Sequence, residues 1–266
     1  MPFEASMHVA FAALAGLLIG SFLNVCIYRV PRDLSVVRPR SFCPECGKPV
    51  AWYDNIPLLS YVRLKGRCRD CGKPIGLRYP FVELITAAFF AGTVAHFGWN
   101  LDGLKWCLFQ AIMIALFWTD IEERILPDEF TLGGSALGVL FAFFTKVPGD
   151  LGQLLLPSAG VRGQSLFEAL AGAFVLTLPL AAVGLIWGKV AKRQVLGLGD
   201  VKLLPCIGVF LGLEAGIQTL LLGSLIGVAI GSMYIFIMKK KAREYELPLG
   251  SFYCAAAAIS PLFIKV

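Results

Sequence analysis

The sequence predicts an all-α polytopic membrane protein with about eight transmembrane helices and a zinc-binding loop between the first and second, and three observations predict it. Of the 266 residues, 57% are hydrophobic and 16% charged, with a mean hydropathy of +0.73, too apolar for an ordinary water-soluble domain. Apolar stretches of about 18 residues or more recur along the chain, each long enough as a helix to cross a hydrocarbon core of roughly 30 Å. The basic residues gather in a few of the connections.

The expected spans are 7–28, 80–98, 104–120, 129–146, 166–188, 202–213, 215–238 and 251–264. The stretch 202–213 is short and holds Pro205. It either crosses or pairs with 215–238 as a re-entrant hairpin, and the alternatives put everything downstream on different sides. The start, Met1-Pro2-Phe3-Glu4, has no basic n-region, and no small-residue cleavage site precedes Cys26, so an uncleaved anchor is expected. Of 24 Lys and Arg, eleven lie in 29–79, one is Arg124, four lie in 189–202 and four in 239–243. These twenty share one side if all eight stretches cross; by the positive-inside rule that side is cytoplasmic and both termini face outward, toward the periplasm. The net charge of +6 is therefore a topology signal, and no nucleic-acid partner is expected.

The chain divides by composition into a first helix (1–28), a polar loop (29–79) and a membrane core (80–266), with no internal repeat evident. The Pro/Gly-rich stretch 146–164 is expected to lie along the outer interface as a loop, with room for a short helix. Within the polar loop, Cys43-Pro-Glu-Cys46 and Cys68-Arg-Asp-Cys71 are each followed by Gly-Lys-Pro. A two-residue spacer lets both thiolates of a knuckle face one tetrahedral ion, and the glycine permits the turn that aims N–H groups at sulfur. Four such sulfurs close the coordination sphere, which predicts a structural zinc site on Cys43, Cys46, Cys68 and Cys71. Two disulfides are the alternative, disfavoured in a reducing compartment. Cys26, Cys107, Cys206 and Cys254 sit in apolar stretches as small buried hydrophobes.

Ionisable groups at membrane depth are expensive, so those that persist are candidates for function. Asp120 ends the third span, and Asp200 follows Gly197-Leu198-Gly199 just ahead of the sixth. Asp120 has a bland alternative as the i, i+4 partner of Arg124, and Asp200 as the cap of a helix starting at Val201. Asp128 reads as a helix cap. Gly197 and Gly199 are expected to let the backbone bend sharply and approach a partner helix or an extended substrate. Two carboxyls sharing one proton can activate water with the ionised member and protonate a carbonyl oxygen with the neutral one. There is no Gly-x-Ser-x-Gly and no His-Glu-x-x-His, and His8 and His96 lie near outward helix ends, so a histidine-based mechanism is not expected.

These residues together resemble the type 4 prepilin peptidases, also called leader peptidase/N-methyltransferases. The resemblance runs from Gly20-Ser-Phe-Leu-Asn24-Val through both Cys knuckles and Tyr53-Asp-Asn-Ile-Pro57, then Arg78-Tyr-Pro-Phe-Val-Glu83, the Asp120 to Leu-Pro-Asp128 run, and Gly-Leu-Gly-Asp200-Val-Lys202. It implies a bacterial inner-membrane enzyme whose catalytic aspartates are Asp120 and Asp200. Its substrate would be a prepilin or pseudopilin with a basic leader, cut at the cytoplasmic face, and the new N-terminal residue would then be methylated from S-adenosyl-L-methionine. The loop 29–79 would serve that second activity. Lys202, with Glu122 or Glu123, is expected to support the site. No Rossmann-type glycine fingerprint marks a cofactor site. Methyl transfer needs a group to take the proton of the amine, and Glu83, an acid just inside the second span, is the candidate, with pairing to Arg78 or another loop cation as its alternative.

Two rival readings come from other classes. A transporter would want acids near the bilayer midplane, whereas these sit at one face. A catalytically inert zinc-loop scaffold would tolerate loss of both aspartates.

Overall fold

The computed structural model describes residues 2–191, 197–238 and 248–264, and each of the eight apolar stretches is built around a helix. In chain order the helices are α1 (Pro2–Arg29), α2 (Leu59–Arg63), α3 (Arg78–Phe97), α4 (Leu101–Glu123), α5 (Asp128–Ala142), α6 (Leu151–Leu155), α7 (Val161–Ala191), α8 (Leu198–Met238) and α9 (Leu249–Ile259). No strand occurs among the described residues, only two isolated β-bridges. Five segments are long and apolar enough to cross a membrane: Glu4–Arg32, Arg78–Phe97, Leu101–Glu123, Val161–Trp187 and Leu198–Ile237. The basic positions Lys192, Arg193 and 239–243, which entered the charge count, lie outside the described residues.

The stretches 129–146 and 251–264 form shorter helices than expected. Helix α5 stops at Ala142 after 15 residues, about 22 Å at 1.5 Å per residue. Helix α9 has 11 residues before a 3-10 turn, Ser260–Phe263. The stretches 202–213 and 215–238 join in α8, which breaks at Gly212 (φ 70°, ψ −170°). Only glycine takes that conformation readily. A Cβ there would also stand 2.1 Å from Pro148 O, so conformation and space make the same demand.

Two compact units divide the chain, residues 1–115 and 116–265. In the first, α1 packs on α3 through Gly16 and Gly20. A Cβ on Gly16 would meet Ala87 Cα at 2.6 Å, and one on Gly20 would meet Glu83 Cα at 2.7 Å. Small residues one turn apart let backbones approach and gain dispersion where lipid offers no hydrophobic drive. One turn on, Asn24 Nδ2 donates to Gly20 O and Tyr79 O. At the end of α1 the buried Arg29 donates to Ser35 O and Arg40 O and lies over the Phe42 ring, tying the polar loop to the helix.

In the second unit, α7 meets α8 where a Cβ on Gly208 would stand 2.4 Å from Gly172 C, and α5 packs on α8 with Gly138 facing Val209 and Phe210. Helix α9 lies against α8, with Ser224 Oγ and Tyr253 Oη 3.2 Å apart. The stretch 146–164 does contain a short helix, α6, and it is anchored. Gly152 N donates to Glu168 Oε1 at 2.7 Å and Val147 N to Ser165 Oγ at 3.3 Å.

Candidate active site and metal centre

Asp120 and Asp200 both belong to the second unit and converge on the start of α9. Asp120 lies on the last turn of α4, which ends as Arg124 takes a positive φ of 58° and its N–H closes on Asp120 O at 3.1 Å. Asp200 is the third residue of α8. A Cβ built on Gly250 would stand 3.0 Å from Asp200 Oδ1 and 3.2 Å from Asp120 Oδ2. The two oxygens are thus no farther apart than the sum of those distances, about 6.2 Å. Like charges within that range disfavour each other's ionisation.

Asp120 Oδ2 accepts two hydrogen bonds from Ser251, one from the backbone N–H at 2.6 Å and one from Oγ at 2.5 Å. That N–H is one of the first-turn donors of α9 that has no partner within its own helix. Asp120, 7% exposed, therefore caps a helix far along the chain, and its partner is Ser251 rather than Arg124. Leu126 supplies an apolar wall, 3.0 Å from the Gly250 Cβ position.

Several expectations need correcting here. Gly199 lies in the first turn of α8 without a positive φ, so it does not make the sharp bend expected of it. Both glycines leave room: a Cβ on Gly199 would stand 3.2 Å from Leu126 Cβ, and one on Gly197 3.4 Å from Asp200 Oδ2. Asp200 does not cap a helix starting at Val201, because α8 already begins at Leu198. Asp128 makes no side-chain cap either. Pro127 holds the N-cap position of α5, and Asp128 receives Lys202 Nζ on both oxygens at 2.7 and 2.8 Å.

In the first unit, Cys43, Cys46, Cys68 and Cys71 bring four sulfurs within 4.8 Å of one another. Sulfurs about 2.3 Å from a tetrahedral ion lie about 3.8 Å apart; Cys43 Sγ and Cys71 Sγ are 3.9 Å apart. The set can hold a metal ion. The knuckles are alike in detail. Cys43 N donates to Lys48 O and Cys68 N to Lys73 O, both at 2.9 Å, and Gly47 and Gly72 turn the chain at φ 71° and 68°. The N–H groups of Cys71 and Asp70 point at the Cys68 sulfur and lower its thiol from 9.0 to about 7. Ion pairs cross reciprocally: Lys48 of the first knuckle holds Asp70 of the second at 3.1 Å, and Lys73 of the second holds Glu45 of the first. The Cys-x-x-Cys-Gly-Lys-Pro run that recurs in the sequence thus folds twice in the same way.

Beside the knuckles lies a cavity of about 590 Å³, lined among others by Asn24, Tyr28, Tyr53, Asp70, Tyr79 and Glu83. Glu83 is buried. Its Oε2 accepts the Leu58 N–H at 2.8 Å, and Leu58 is held at a positive φ of 57°.

Residues 14–97 match the Bacterial Peptidase A24 N-terminal domain, and residues 107–232 match the Type IV leader peptidase family. A prepilin leader peptidase/N-methyltransferase of Klebsiella pneumoniae is 39% identical over 223 residues, 81% of this chain and 90% of that one. One of Neisseria gonorrhoeae is 34% identical over 244 residues, 83% of this chain and 80% of that one. The chain belongs to the type IV leader peptidase family. A further relative, of Myxococcus xanthus, is 38% identical over 229 residues, and the chain spans only 64% of its length. No solved structure is a significant match. Within the leader peptidase match lie Asp120, Gly197, Gly199, Asp200 and Lys202, and within the N-terminal match lie Glu83 and the four cysteines. Gly250 and Ser251 fall beyond both, and neither carries a charge or a motif that singles it out in the sequence. Their one signal is a Gly-Ser pair just after Pro248 at the head of an apolar stretch, where first-turn N–H groups look for an acceptor.

Proposed function

We propose that this membrane protein is an aspartic endopeptidase that removes the basic leader of prepilins or pseudopilins and then methylates the new N-terminal residue. The observation that carries the reading is the approach of Asp120 and Asp200 at Gly250. Water between the carboxyls loses a proton to the ionised one and attacks the scissile carbonyl, while the neutral one protonates the carbonyl oxygen. No covalent intermediate is needed. Gly197 and Gly199 give Asp200 and Leu126 their room, and Lys202 braces the start of α8 through Asp128.

For the second activity, Cys43, Cys46, Cys68 and Cys71 hold a structural zinc that keeps the loop 29–79 folded, and the helical core 80–266 carries the peptidase. S-adenosyl-L-methionine supplies an electrophilic methyl group. The cavity beside the knuckles supports this, being wide enough for a nucleoside-sized ligand. Glu83 accepts the proton of the substrate amine there. All eight stretches lie in the bacterial inner membrane, the loop and both acids face the cytoplasm, and both termini face the periplasm; the basic-residue count supports that orientation.

The test is co-expression of Asp120→Asn and Asp200→Asn with a prepilin, read by leader removal on a gel. Each variant is expected to leave the prepilin uncut. Continued processing by both would defeat the reading and return the scaffold or transporter alternative.

A further inference from the structure

We infer that Ser251 is a positioning residue that makes Asp120 the ionised, proton-accepting member of the pair and leaves Asp200 as the acid. The inference rests on the peptidase reading above and deepens it, since sharing one proton does not by itself say which carboxyl holds it.

The two acids have unequal surroundings. Asp120 Oδ2 is met by two donors, the Ser251 N–H and the Ser251 hydroxyl. Donors aimed at a carboxylate favour its charged form. The N–H belongs to the first turn of α9, whose positive end faces the same oxygen. Asp200 also lies in a first turn, that of α8, so the dipole does not separate the two. Hydrogen bonds do. Among the described residues none is donated to the Asp200 carboxyl, which is approached instead by the bare glycines Gly197 and Gly250, with the apolar Leu126 beside Gly250.

Among the described residues, other ionisable groups near the pair do not reverse this. From α8 come the buried Cys206 and, farther out, Lys202, which is held by Asp128 of α5. From α9 comes the buried Cys254, near both aspartates. From α4 come Glu122 and Glu123 in the turn after Asp120, with Arg124 closing the helix. Ser251 is 1% exposed, and among the described residues its hydroxyl meets Phe117 O at 3.5 Å and Asp120 Oδ2, the closer of the two.

The test uses the purified full chain in detergent with a prepilin substrate. Ser251→Ala keeps the backbone donor and deletes the hydroxyl; Ser251→Thr keeps both. For Ser251→Ala we expect kcat to fall about tenfold with KM little changed, and the acid limb of the pH–rate profile to move up by about one pH unit. Ser251→Thr should restore both. Should Ser251→Ala not accumulate, Ser251→Cys, a weaker donor of similar shape, is read by the same measurements. An unchanged acid limb overturns the assignment, whether kcat falls or not, because a residue that only supports the fold would lower activity at every pH alike. Cleavage that survives Asp120→Asn and Asp200→Asn would instead sink the peptidase reading itself.

Discussion

Gly250 stands so close to Asp200 that a single added carbon would press on the carboxyl, 3.0 Å from Oδ1. The same carbon would lie 3.2 Å from Asp120 Oδ2, so a side chain here is a wedge between the two acids. Gly250→Ala should lower the cleavage rate about tenfold and Gly250→Val about a hundredfold or more, since an ångström of misplacement suffices for a loss of that order. Methylation of an already cleaved pilin should be unaffected. A time course with each substrate checks both.

Lys202 grips Asp128, but both side chains are about half exposed, and such pairs contribute about 0.2–1 kcal/mol. Lys202→Met should therefore slow cleavage less than about fivefold. Asp128→Asn should do the same, and the double variant should be no worse than either alone. A loss of a hundredfold in Lys202→Met would mean that the amine acts on substrate and not through Asp128.

These two sites differ in how far the sequence announced them. Asp120, Asp200 and the cysteines stand out because charge at membrane depth and C-x2-C spacing are chemical signals, readable one residue at a time. Gly250 and Ser251 carry no charge and bind no metal, and only the packing of α9 gives them their neighbours. Gly16-Leu-Leu-Ile-Gly20 was legible as a small-residue helix contact and was passed over. The reason eight stretches gave fewer long helices is also physical. Hydropathy measures how apolar a window is, whereas α5 ends at Ala142 inside an apolar run, and Gly212 bends α8 without interrupting one.

Removing the metal ligands should separate the two activities. Purified protein is expected to carry about one zinc per chain, and Cys43→Ser with Cys46→Ser should remove it. Because the cavity lies beside the knuckles in the first unit while Asp120 and Asp200 lie in the second, methylation should fall more than cleavage. Metal analysis of wild type and variant, with both assays, decides it. The opposite order would reverse the division of labour.

Glu83→Gln preserves an acceptor for the Leu58 N–H and removes the proton acceptor. Methylation of mature pilin should fall about a hundredfold, the usual scale for losing a general base, and cleavage should persist. Equal loss of both would make Glu83 a fold residue.

Asp54 gives a prediction with a sign in pH. Its carboxylate takes a forked pair of bonds from Arg69, from Nε at 2.6 Å and Nη2 at 2.5 Å, and the Arg69 guanidinium lies 5.4 Å from the Tyr53 ring centre. Arg69 sits between the cysteines of the second knuckle, so this contact fastens the knuckle to the 3-10 turn Trp52–Asp54. The bonds from Arg69 hold the Asp54 carboxyl below its ordinary 3.8. A carboxyl lowered by folding contributes stability that is complete above the unfolded value and is lost as pH falls through the lower folded one. Hydrogen exchange over 52–72 should therefore be faster in Asp54→Asn than in wild type by a ratio that stays constant from about pH 8 to about pH 5, well above the titration. A ratio that shrinks across that window would mean that another group, and not Asp54 ionisation, sets the strength of the contact.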